Sequence, residues 1–486
     1  MATFYDTLLW EYIRNPWRRG LSLDDIALNS FGYKTISFWE LTWKGKIVFS
    51  DVELSTAATY SWEDVYVTQL IYKKQKEDGI IHNKILQEIE IPLIDVLKDM
   101  ELDGIKIDRD RLKGIWMQLE SAIFSLQKEI IQDAWQEFNI SSPKQVWEIL
   151  FEKMWIPPVK KTKTGYSVDS DVLEWLAKSY PIAQKIIEYR HYSKLLSTYV
   201  EWLLWQLDEN DVTHTSYNQT VAATWRLSST DPNLQNIPTW EGIAWEIRSA
   251  FIPFSSEDEL MAFDYSQVEI RILAIMSQDD NLCKAFENNI DIHYNTAKLI
   301  FWKDDISSTE RKYAKTVNFG VIYGISPFWL SQMLNISRMD AKVYIDKFFE
   351  NYPKVRIFFD TLIENCEKTW YVETLFWRRR YIWGINDANK MMKQAAEREA
   401  MNMPIQGTAA DIIKLAMIQV AKFMKDKELK SKMIMQVHDE LVFNVKKDEK
   451  ELLAREIPKI MEGILQDNRV RLIVDYWVGK NWKEAK

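Results

Sequence analysis

Two segments of the chain place carboxylates where they could bind a hard metal ion. In L-M-A-F-D-Y-S-Q-V-E-I-R an apolar run ends at Asp264, and in M-I-M-Q-V-H-D-E-L-V-F the pair Asp439 and Glu440 separates two apolar runs. Carboxylates at strand ends suit Mg²⁺, which takes few protein carboxylates and completes its shell with substrate phosphates. Two such ions can stabilise the attacking and leaving oxygens of a phosphoryl transfer. Taken singly, each segment is explained as well by an acidic residue in a turn, where its carboxylate accepts local hydrogen bonds.

A third segment, R-K-Y-A-K-T-V-N-F-G-V-I-Y-G, predicts a helix with a cationic and aromatic face. Arg311, Lys315, Phe319 and Tyr323 follow at intervals of four residues and form one stripe along a helix. Two cations followed by two rings suit a triphosphate whose sugar and base lie against the rings. The alternative is an ordinary amphipathic helix with its cations in solvent. The two glycines favour the functional interpretation, because glycine near a helix end lowers stability unless something must approach closely.

The elements that must position these residues are predicted from apolar spacing, and they indicate an α+β chain rich in helices. A buried strand is expected from Leu260 to Phe263, and a strand pair over 433–445. Helices are expected over 83–135, with a kink or boundary at Pro92, and over most of 280–425, with a break at 371–386. A short strand is predicted from Lys46 to Phe49.

Composition limits the class of protein. The 486 residues carry 62 Lys and Arg against 71 Asp and Glu, a net charge of −9, so a basic cleft would have to be local. The apolar content of 47% excludes a disordered or collagen-like chain. The two cysteines, Cys283 and Cys366, fit no metal spacing and suggest a reducing compartment. With no signal-peptide pattern and no apolar run of membrane-spanning length, we expect a cytoplasmic protein that is not associated with a membrane.

These segments, together with three others, resemble the motifs of family A DNA polymerases, the bacterial DNA polymerase I group. The others are R-L-S-S-T-D-P-N-L-Q-N-I-P at 226–238, D-I-H at 291–293 and N-M-P-I-Q-G-T-A-A-D-I at 402–412. They occur in family order across nearly the whole chain. The resemblance implies a bacterial protein associated with the nucleoid. The resemblance implies a right-hand fold of palm, fingers and thumb, preceded by a truncated RNase H-like 3′–5′ exonuclease remnant. Its implied parts are the remnant at 1–81, thumb at 82–212, palm at 213–280 and 393–486, and fingers at 281–392.

The resemblance implies template-directed addition of dNTPs to a primer 3′ end, with two Mg²⁺ ions as cofactors and primer–template DNA as partner. The implied catalytic and metal-binding groups are Asp264, Asp439, the Tyr265 carbonyl and the supporting Glu440. The implied dNTP-binding residues are Arg311, Lys315, Phe319, Tyr323, His293 and Gln267. The implied primer–template contacts are Arg226, Arg398, Asn402, Gln406 and His438.

The resemblance also assigns two residues to sugar selection and three lysines to DNA contact at the thumb tip. Glu269 matches the family's steric gate, which leaves no room for a 2′-hydroxyl, and phenylalanine at position 319 is the form that disfavours dideoxynucleotides. The basic loop with Lys160, Lys161 and Lys163 matches the thumb tip, where it would contact the DNA backbone. A solvated charge run is the alternative for that loop.

The front of the chain resembles the later part of the exonuclease domain. Tyr60 and Asp64 match its third motif, whereas the D-x-E of Asp51 and Glu53 lies where the family has no metal ligand and is interpreted as a loop. We therefore predict no proofreading from this chain alone. Either the chain is a fragment, or a separate upstream polypeptide carries the missing exonuclease and 5′-nuclease parts; the polymerase itself is expected to be a monomer.

Three competing interpretations come from other classes. A polymerase-shaped DNA-binding protein without activity is opposed by the intact Asp264, Asp439, Arg311 and Lys315. A single-subunit RNA polymerase of related fold is opposed by Glu269 and by the extent of the resemblance. A nuclease alone would lack its metal ligands.

The tryptophan and glycine counts are abnormal. The chain has 22 Trp and only 14 Gly, whereas ordinary usage predicts roughly 34 Gly. The resembling family usually has glycine at eleven of the tryptophan positions, which are Trp17, Trp43, Trp135, Trp147, Trp155, Trp225, Trp302, Trp329, Trp370, Trp377 and Trp477. Trp482, in G-K-N-W, resembles a genuine tryptophan. The hypothesis is that UGA codons decoded as glycine in the source, an alternative genetic code, are written here as tryptophan.

Overall fold

The computed structural model describes residues 5–16, 18, 20–78, 84–162, 165–238 and 242–486. Ten strands are formed, some of them only two or three residues long. They are β1 (Ile105–Lys106), β2 (Val212–Thr213), β3 (Ser216–Asn218), β4 (Ser228–Thr230), β5 (Glu259–Tyr265), β6 (Tyr371–Glu373), β7 (Arg379–Tyr381), β8 (Lys432–Val437), β9 (Glu440–Val445) and β10 (Val474–Gly479).

Helices make up most of the described chain. Those before the long strand β5 are α1 (Thr7–Arg14), α2 (Leu23–Phe31), α3 (Phe38–Leu41), α4 (Leu54–Glu77), α5 (Ile91–Asp103), α6 (Arg109–Ala134), α7 (Pro143–Trp147), α8 (Ser170–Ala177), α9 (Pro181–Lys194), α10 (Trp202–Gln206) and α11 (Ile243–Glu246). Those after it are α12 (Val268–Ser277), α13 (Asp280–Glu287), α14 (Ile292–Phe301), α15 (Ser308–Ile322), α16 (Pro327–Leu334), α17 (Arg338–Asn351), α18 (Pro353–Thr369), α19 (Lys390–Asp426) and α20 (Lys450–Glu462). Among the described residues, no helix combines the length and hydrophobicity that crossing a bilayer requires.

A four-stranded antiparallel sheet in the order β10–β5–β9–β8 forms the centre of the fold. Side chains alternate between its two faces because successive residues of a strand point in opposite directions. On β5, Met261, Phe263 and Tyr265 pack into the larger core with residues of α12, α19 and α20. Leu260 and Ala262 face the second core, which includes residues of α6 and the segment before α10. Asp264 therefore belongs to the face of Leu260 and Ala262.

Most predicted elements are confirmed, and one is wrong. The strand at Leu260 to Phe263 is the middle of β5, and the strand pair is β8 and β9. Pro92 stands in the first turn of α5, directly after a π-helical turn at Leu86–Glu90, so the predicted boundary is confirmed. The predicted strand from Lys46 to Phe49 does not form. The chain turns immediately before it, with positive φ at Trp43, Lys44 and Gly45, and the segment pairs with no described strand.

A cluster of four fully buried charges joins three distant parts of the chain. The Arg378 guanidinium bridges the carboxylates of Glu90 and Asp411, each at 2.6 Å, and the Lys414 ammonium lies 2.7 Å from Glu90. Two positive and two negative charges balance, which offsets the desolvation of each. The cluster connects the turn before α5, the β6–β7 hairpin and α19 behind the central sheet.

The backbone at many of the anomalous tryptophans has a conformation that favours glycine. Seven adopt positive φ between 49° and 67°, namely Trp43, Trp135, Trp155, Trp225, Trp302, Trp370 and Trp377. Three of these end α6, α14 and α18, where glycine is the usual residue because it enters the left-handed region without a Cβ penalty. Trp147 and Trp329 are helical and Trp477 lies in β10, so their backbone carries no such signal. Trp17 lies outside the described residues.

Every positive-φ tryptophan in the described part of the chain belongs to the eleven positions identified from the sequence. Trp225 is the most constrained of them. It is fully buried with φ +62°, and its indole N–H has no hydrogen-bond acceptor among the described residues. Its ring also presses against α19 at Gly407, where an added Cβ would lie 2.5 Å from it.

Replacing a left-handed tryptophan by glycine should stabilise the fold. Trp135 is 92% exposed and has φ +57°, so Trp135→Gly removes strain with little loss of packing. We expect a gain of roughly 1 kcal/mol in the free energy of unfolding, measured by urea denaturation. The matched control is Trp175→Gly, at a half-exposed helical position of α8, which should cost roughly 0.5–1 kcal/mol. Equal losses for both variants would contradict the strain at position 135.

Candidate active site

A cavity of about 490 Å³ lies where the β5 strand end meets the β8–β9 turn and α15. Twelve of the residues predicted from the sequence line it, and Val268 is an additional lining residue. The twelve are Arg226, Asp264, Tyr265, Gln267, Glu269, His293, Arg311, Lys315, Phe319, Tyr323, His438 and Asp439. The fold therefore brings the strand-end carboxylates and the cationic helix face together around one space.

The central sheet and its turn place two carboxylates at this cavity. β5 delivers Asp264, and the two-residue connection between β8 and β9 delivers Asp439, with His438 at φ +55°. The backbone N–H of Tyr265 donates to the Asp439 carbonyl at 3.2 Å, which ties the two strand ends together. Neither carboxylate accepts a hydrogen bond from any described residue.

Burial raises the pKa of both acids. The pKa of Asp264 rises to about 6, and the nearby Glu440 and Asp475 carboxylates add to the effect of burial. The pKa of Asp439 rises to about 7 through burial, opposed by the Arg226 guanidinium and assisted by Glu269 and Asp264. Two neighbouring carboxylates that are half-buried and accept from no described donor destabilise each other's charge, which a bound cation would relieve.

The donor set fits a hard divalent cation. Asp264 and Asp439 offer unpaired carboxylate oxygens, the ligands that Mg²⁺ prefers. Among the described residues, no group of three or more His, Cys, Asp or Glu side chains is arranged to hold a metal ion without other ligands. Ions bound here would complete their shell with water or with the phosphates of a substrate. Glu440 differs from the other two acids, because both of its carboxylate oxygens are already engaged.

The predicted steric gate is held by two donors from different elements. The Arg226 guanidinium lies 2.5 Å from Oε1 of Glu269, and the Tyr323 hydroxyl donates to Oε2 at 2.7 Å. Burial and the Glu269 charge raise the pKa of Tyr323. Because Glu269 is buried at the start of α12 and both of its oxygens are occupied, its carboxylate has a fixed position at the cavity wall.

The cationic face forms as the sequence predicts. Ser307 and Glu310 form a capping box that starts α15, and the helix carries Arg311 and Lys315 into the cavity. The Arg311 guanidinium pairs with Asp291 at 2.7 Å, at the start of α14. The helix predicted from the four-residue spacing is therefore confirmed, and its stripe lines the cavity.

His293 is a neutral donor at this wall. Burial lowers its pKa to about 4, and the Arg311 and Lys315 charges add to that effect while Asp291 opposes it. The Asn318 side-chain amide nitrogen lies 2.9 Å from Nδ1. In the tautomer in which Nδ1 accepts from this amide, the neutral ring carries its proton on Nε2 and can donate it to an anionic ligand.

The predicted DNA contacts divide between two places. Arg226 and His438 line the cavity, whereas Arg398, Asn402 and Gln406 lie on α19 at intervals of four residues, on one side that the core leaves uncovered. Arg398 lines a second cavity of about 880 Å³ that shares the α15 stripe with the first. The two groups of residues are thus connected through α15.

The remaining predicted residues that the structure describes line neither cavity. Lys160 is exposed and pairs with Asp169 at 3.1 Å, and the Lys161 ammonium lies 5.9 Å from the Tyr166 ring centre. Lys163 lies outside the described residues. Tyr60 and Asp64 stand one turn apart on α4, where burial and a hydrogen bond to Asp64 raise the pKa of Tyr60.

Sequence reasoning missed residues that come from the end of the chain. Asp475 on β10 pairs across from Asp264, and Lys486 and Trp482 both contact Glu440. The alternation of V-D-Y-W-V indicates a strand, and it could have identified Asp475 as strand-borne. Which strand lies next to β5 is a property of the assembled sheet.

Known proteins similar to this chain are DNA polymerases. The family model of DNA polymerase family A matches residues 109–484. DNA polymerase I of Bacillus subtilis is 43% identical over 497 residues, which covers 99% of this chain and 55% of the relative. DNA polymerase I of Caldicellulosiruptor bescii is 45% identical over 403 residues, covering 82% of this chain and 47% of the relative. The chain spans about half the length of the curated relatives it matches.

A solved structure, the POL domain of Pol1 from M. smegmatis in complex with DNA primer-template and dNTP, has the same fold. Its TM-score is 0.88 at 33% identity, over 99% of this chain and 82% of that chain. The architecture is therefore that of a polymerase domain. The chain belongs to DNA polymerase family A, as the sequence resemblance indicates.

The raised pKa of Asp439 predicts a pH-dependent stability in the metal-free protein. The pKa of Asp439 is about 7 in the folded protein, against an ordinary 3.8. Between these two pH values the folded state therefore keeps a proton that the unfolded state has lost. The free energy of unfolding then falls as pH rises from 5 to 7 and levels off above it. Asp439→Asn removes this loss, so its melting temperature in EDTA should exceed that of the parent by an amount that grows from pH 5 to pH 8.

The control for this experiment is Asp448→Asn, which changes an exposed carboxylate in the turn between β9 and α20. Its melting temperature should differ from that of the parent by a constant amount across the same pH range. A constant difference for Asp439→Asn as well would show that Asp439 does not titrate in this window.

Proposed function

We propose that this chain is a DNA-directed DNA polymerase that adds dNTPs to a primer 3′ end by two-metal phosphoryl transfer. The observation that carries the proposal is the pair of unpartnered carboxylates, Asp264 and Asp439, in one cavity with Arg311 and Lys315 of α15. This is the arrangement of anionic metal ligands and cationic phosphate ligands that phosphoryl transfer requires. The relatives named DNA polymerase I and the solved complex with primer-template and dNTP support it.

Asp264, Asp439 and the Tyr265 carbonyl would hold two Mg²⁺ ions. When bound, such ions stabilise charge on the attacking and leaving oxygens. The side chains of Arg311 and Lys315 would bind the triphosphate through charge-assisted hydrogen bonds. The neutral His293 would donate from Nε2 to the same group, since its proton stays in place throughout the working pH range.

The rings of α15 would bind the sugar and the base. Phe319 and Tyr323 lie one and two turns beyond Lys315 on the same stripe, so a triphosphate at the cations would place its nucleoside against them. Gln267, which caps α12 with φ +53°, lies beside the carboxylates at the other wall. We propose that Phe319 disfavours dideoxynucleotides, as the resemblance implies.

Primer–template DNA would run along the open side of the two cavities. Arg226 and His438 would contact it near the carboxylates, and the α19 side formed by Arg398, Asn402 and Gln406 would extend that contact. The thumb-tip lysines would contact the backbone farther away. The ion pair of Lys160 with Asp169 makes Lys161 the more available of the two described lysines.

The subdomain boundaries implied by the resemblance are part of the proposal, with the central sheet in the palm and α15 in the fingers. For the front of the chain we propose an exonuclease-like remnant without proofreading. The D-x-E motif supports this, because Glu53 caps α4 by accepting a hydrogen bond from the Thr56 backbone N–H at 3.1 Å. Hydrogen bonds from Ser55 and Thr56 lower the pKa of Glu53 to about 2.

A second candidate function, DNA binding with impaired catalysis, is favoured by one observation. Trp225 is strained and buried directly before Arg226, a proposed DNA contact and a partner of Glu269. This second function applies if the tryptophan is genuine. We propose instead that Trp225 stands where the source decodes a UGA codon as glycine, in which case the polymerase function holds. The codons decide the matter, since UGG at positions 225 and 377 would make both tryptophans genuine.

Primer extension tests the proposed function. With labelled dNTPs and Mg²⁺, the parent should extend a primer, and Asp264→Asn should lower kcat by at least about 10³-fold because a metal ligand is lost. Binding of primer–template DNA should change by less than about threefold. Asp448→Asn, in the exposed turn between β9 and α20, is the control and should retain most of the activity. Full activity in Asp264→Asn would refute the assignment.

Glu269→Ala tests sugar selection separately. Removing the fixed carboxylate should raise kcat/KM for ribonucleotides by roughly 10- to 200-fold relative to deoxynucleotides. The comparison variant is Tyr323→Phe, which keeps the ring but removes one of the two donors to Glu269, and it should relax discrimination less. Unchanged discrimination in Glu269→Ala would mean that another residue excludes the 2′-hydroxyl.

A further inference from the structure

Both oxygens of Glu440 are occupied by residues from the end of the chain. The Trp482 indole N–H donates to Oε1 at 2.7 Å, and the Lys486 ammonium pairs with Oε2 at 2.5 Å. Glu440 is 1% exposed, so these two donors replace the water that a carboxylate would otherwise bind. Each oxygen of this carboxylate therefore already has a strong donor, unlike the oxygens of Asp264 and Asp439.

The Trp482 donor is held rigidly from behind. Its ring is fully buried against Phe251, and the Arg248 guanidinium lies 3.8 Å from the ring centre. The Trp482 backbone N–H donates to the Phe251 carbonyl at 3.0 Å. Arg248 is itself buried and donates to the carbonyls of Ile237 and Pro238. The indole therefore positions Glu440 from a fixed wall of the second core.

The sheet register brings the Lys486 ammonium close to the acids of the cavity. Asp264 pairs directly across from Glu440 on β9, so a cation held by Glu440 lies beside Asp264. In agreement with this placement, the Lys486 charge opposes the rise that burial causes in the pKa of both Asp264 and Asp439. The ammonium thus acts electrostatically on both proposed metal ligands.

We propose that Lys486 is a resident cation of the carboxylate cluster, and that Glu440 serves to position it. This inference rests on the proposed function, which assigns Asp264 and Asp439 as the metal ligands. A fixed positive charge beside two carboxylates repels a divalent ion, so it lowers metal affinity until a triphosphate adds further negative charge. Lys486 would thereby couple metal loading to nucleotide binding.

The test measures Mn²⁺ binding to the free protein, with the free ion followed by electron paramagnetic resonance. Lys486→Met removes the charge while keeping the length of the side chain, and it should tighten Mn²⁺ binding by roughly three- to tenfold. Lys486→Arg keeps the charge and should stay within about twofold of the parent. A structural role alone would loosen binding when disturbed, so the direction of the change distinguishes the two roles.

The role of Glu440 is tested in a second background. Glu440→Gln removes the charge that holds the ammonium, so adding Lys486→Met to it should change Mn²⁺ affinity by less than about twofold. Thermal melting establishes that each variant is folded before its affinity is compared. The expected result is that Lys486→Met tightens Mn²⁺ binding in the parent protein but not in the Glu440→Gln variant.

Two results would overturn the inference. If folded Lys486→Met binds Mn²⁺ as the parent does, or more weakly, then Lys486 is no resident cation of this cluster. If the tightening is equally large in the Glu440→Gln background, then Glu440 does not position it. Because the readout needs no catalysis, failure of the parent to extend a primer would refute the proposed function alone.

Discussion

The register of β5 between β9 and β10 is the constraint on which the site depends. It sets Asp264 across from Glu440 on one side and Asp475 on the other. Phe263 and Tyr265, its neighbours in the strand, belong to the larger core. A shift of one residue would turn Asp264 into that core and move the aromatic rings to the opposite face of the sheet. The hydrophobic alternation of β5 thus determines on which face the Asp264 carboxylate lies, as well as how the strand packs.

The way in which charges are partnered separates structural acids from reactive ones. Arg378 bridges Glu90 and Asp411, and Lys414 pairs with Glu90. Glu440 accepts from Trp482 and Lys486, and Glu269 accepts from Arg226 and Tyr323. Asp264 and Asp439 accept from no described residue, although burial raises the pKa of each. Carboxylates that lack donors in this way are stabilised by a bound ligand rather than by the fold.

The tryptophans show backbone and side chain in conflict. Where φ is positive at a helix end, as at Trp135, Trp302 and Trp370, the chain follows a path that glycine adopts without strain. Most of these rings reach solvent, where they cost backbone strain alone. Trp225 adds a buried indole against α19, beside a residue of the proposed site. The backbone path is therefore informative about the residue that the fold requires, independently of the one that is written.

The sequence alone was sufficient for β5, the β8–β9 pair and α15, because local apolar spacing and capping determine them. Its motifs also identified twelve residues that meet in one cavity. It wrongly predicted a strand at Lys46 to Phe49, because a strand requires a partner and the chain turns just before that segment. Only the tertiary structure revealed Lys486 and Trp482 at Glu440, more than forty residues away in sequence. Local patterns encode elements, whereas contacts between distant side chains exist only after the sheet has assembled.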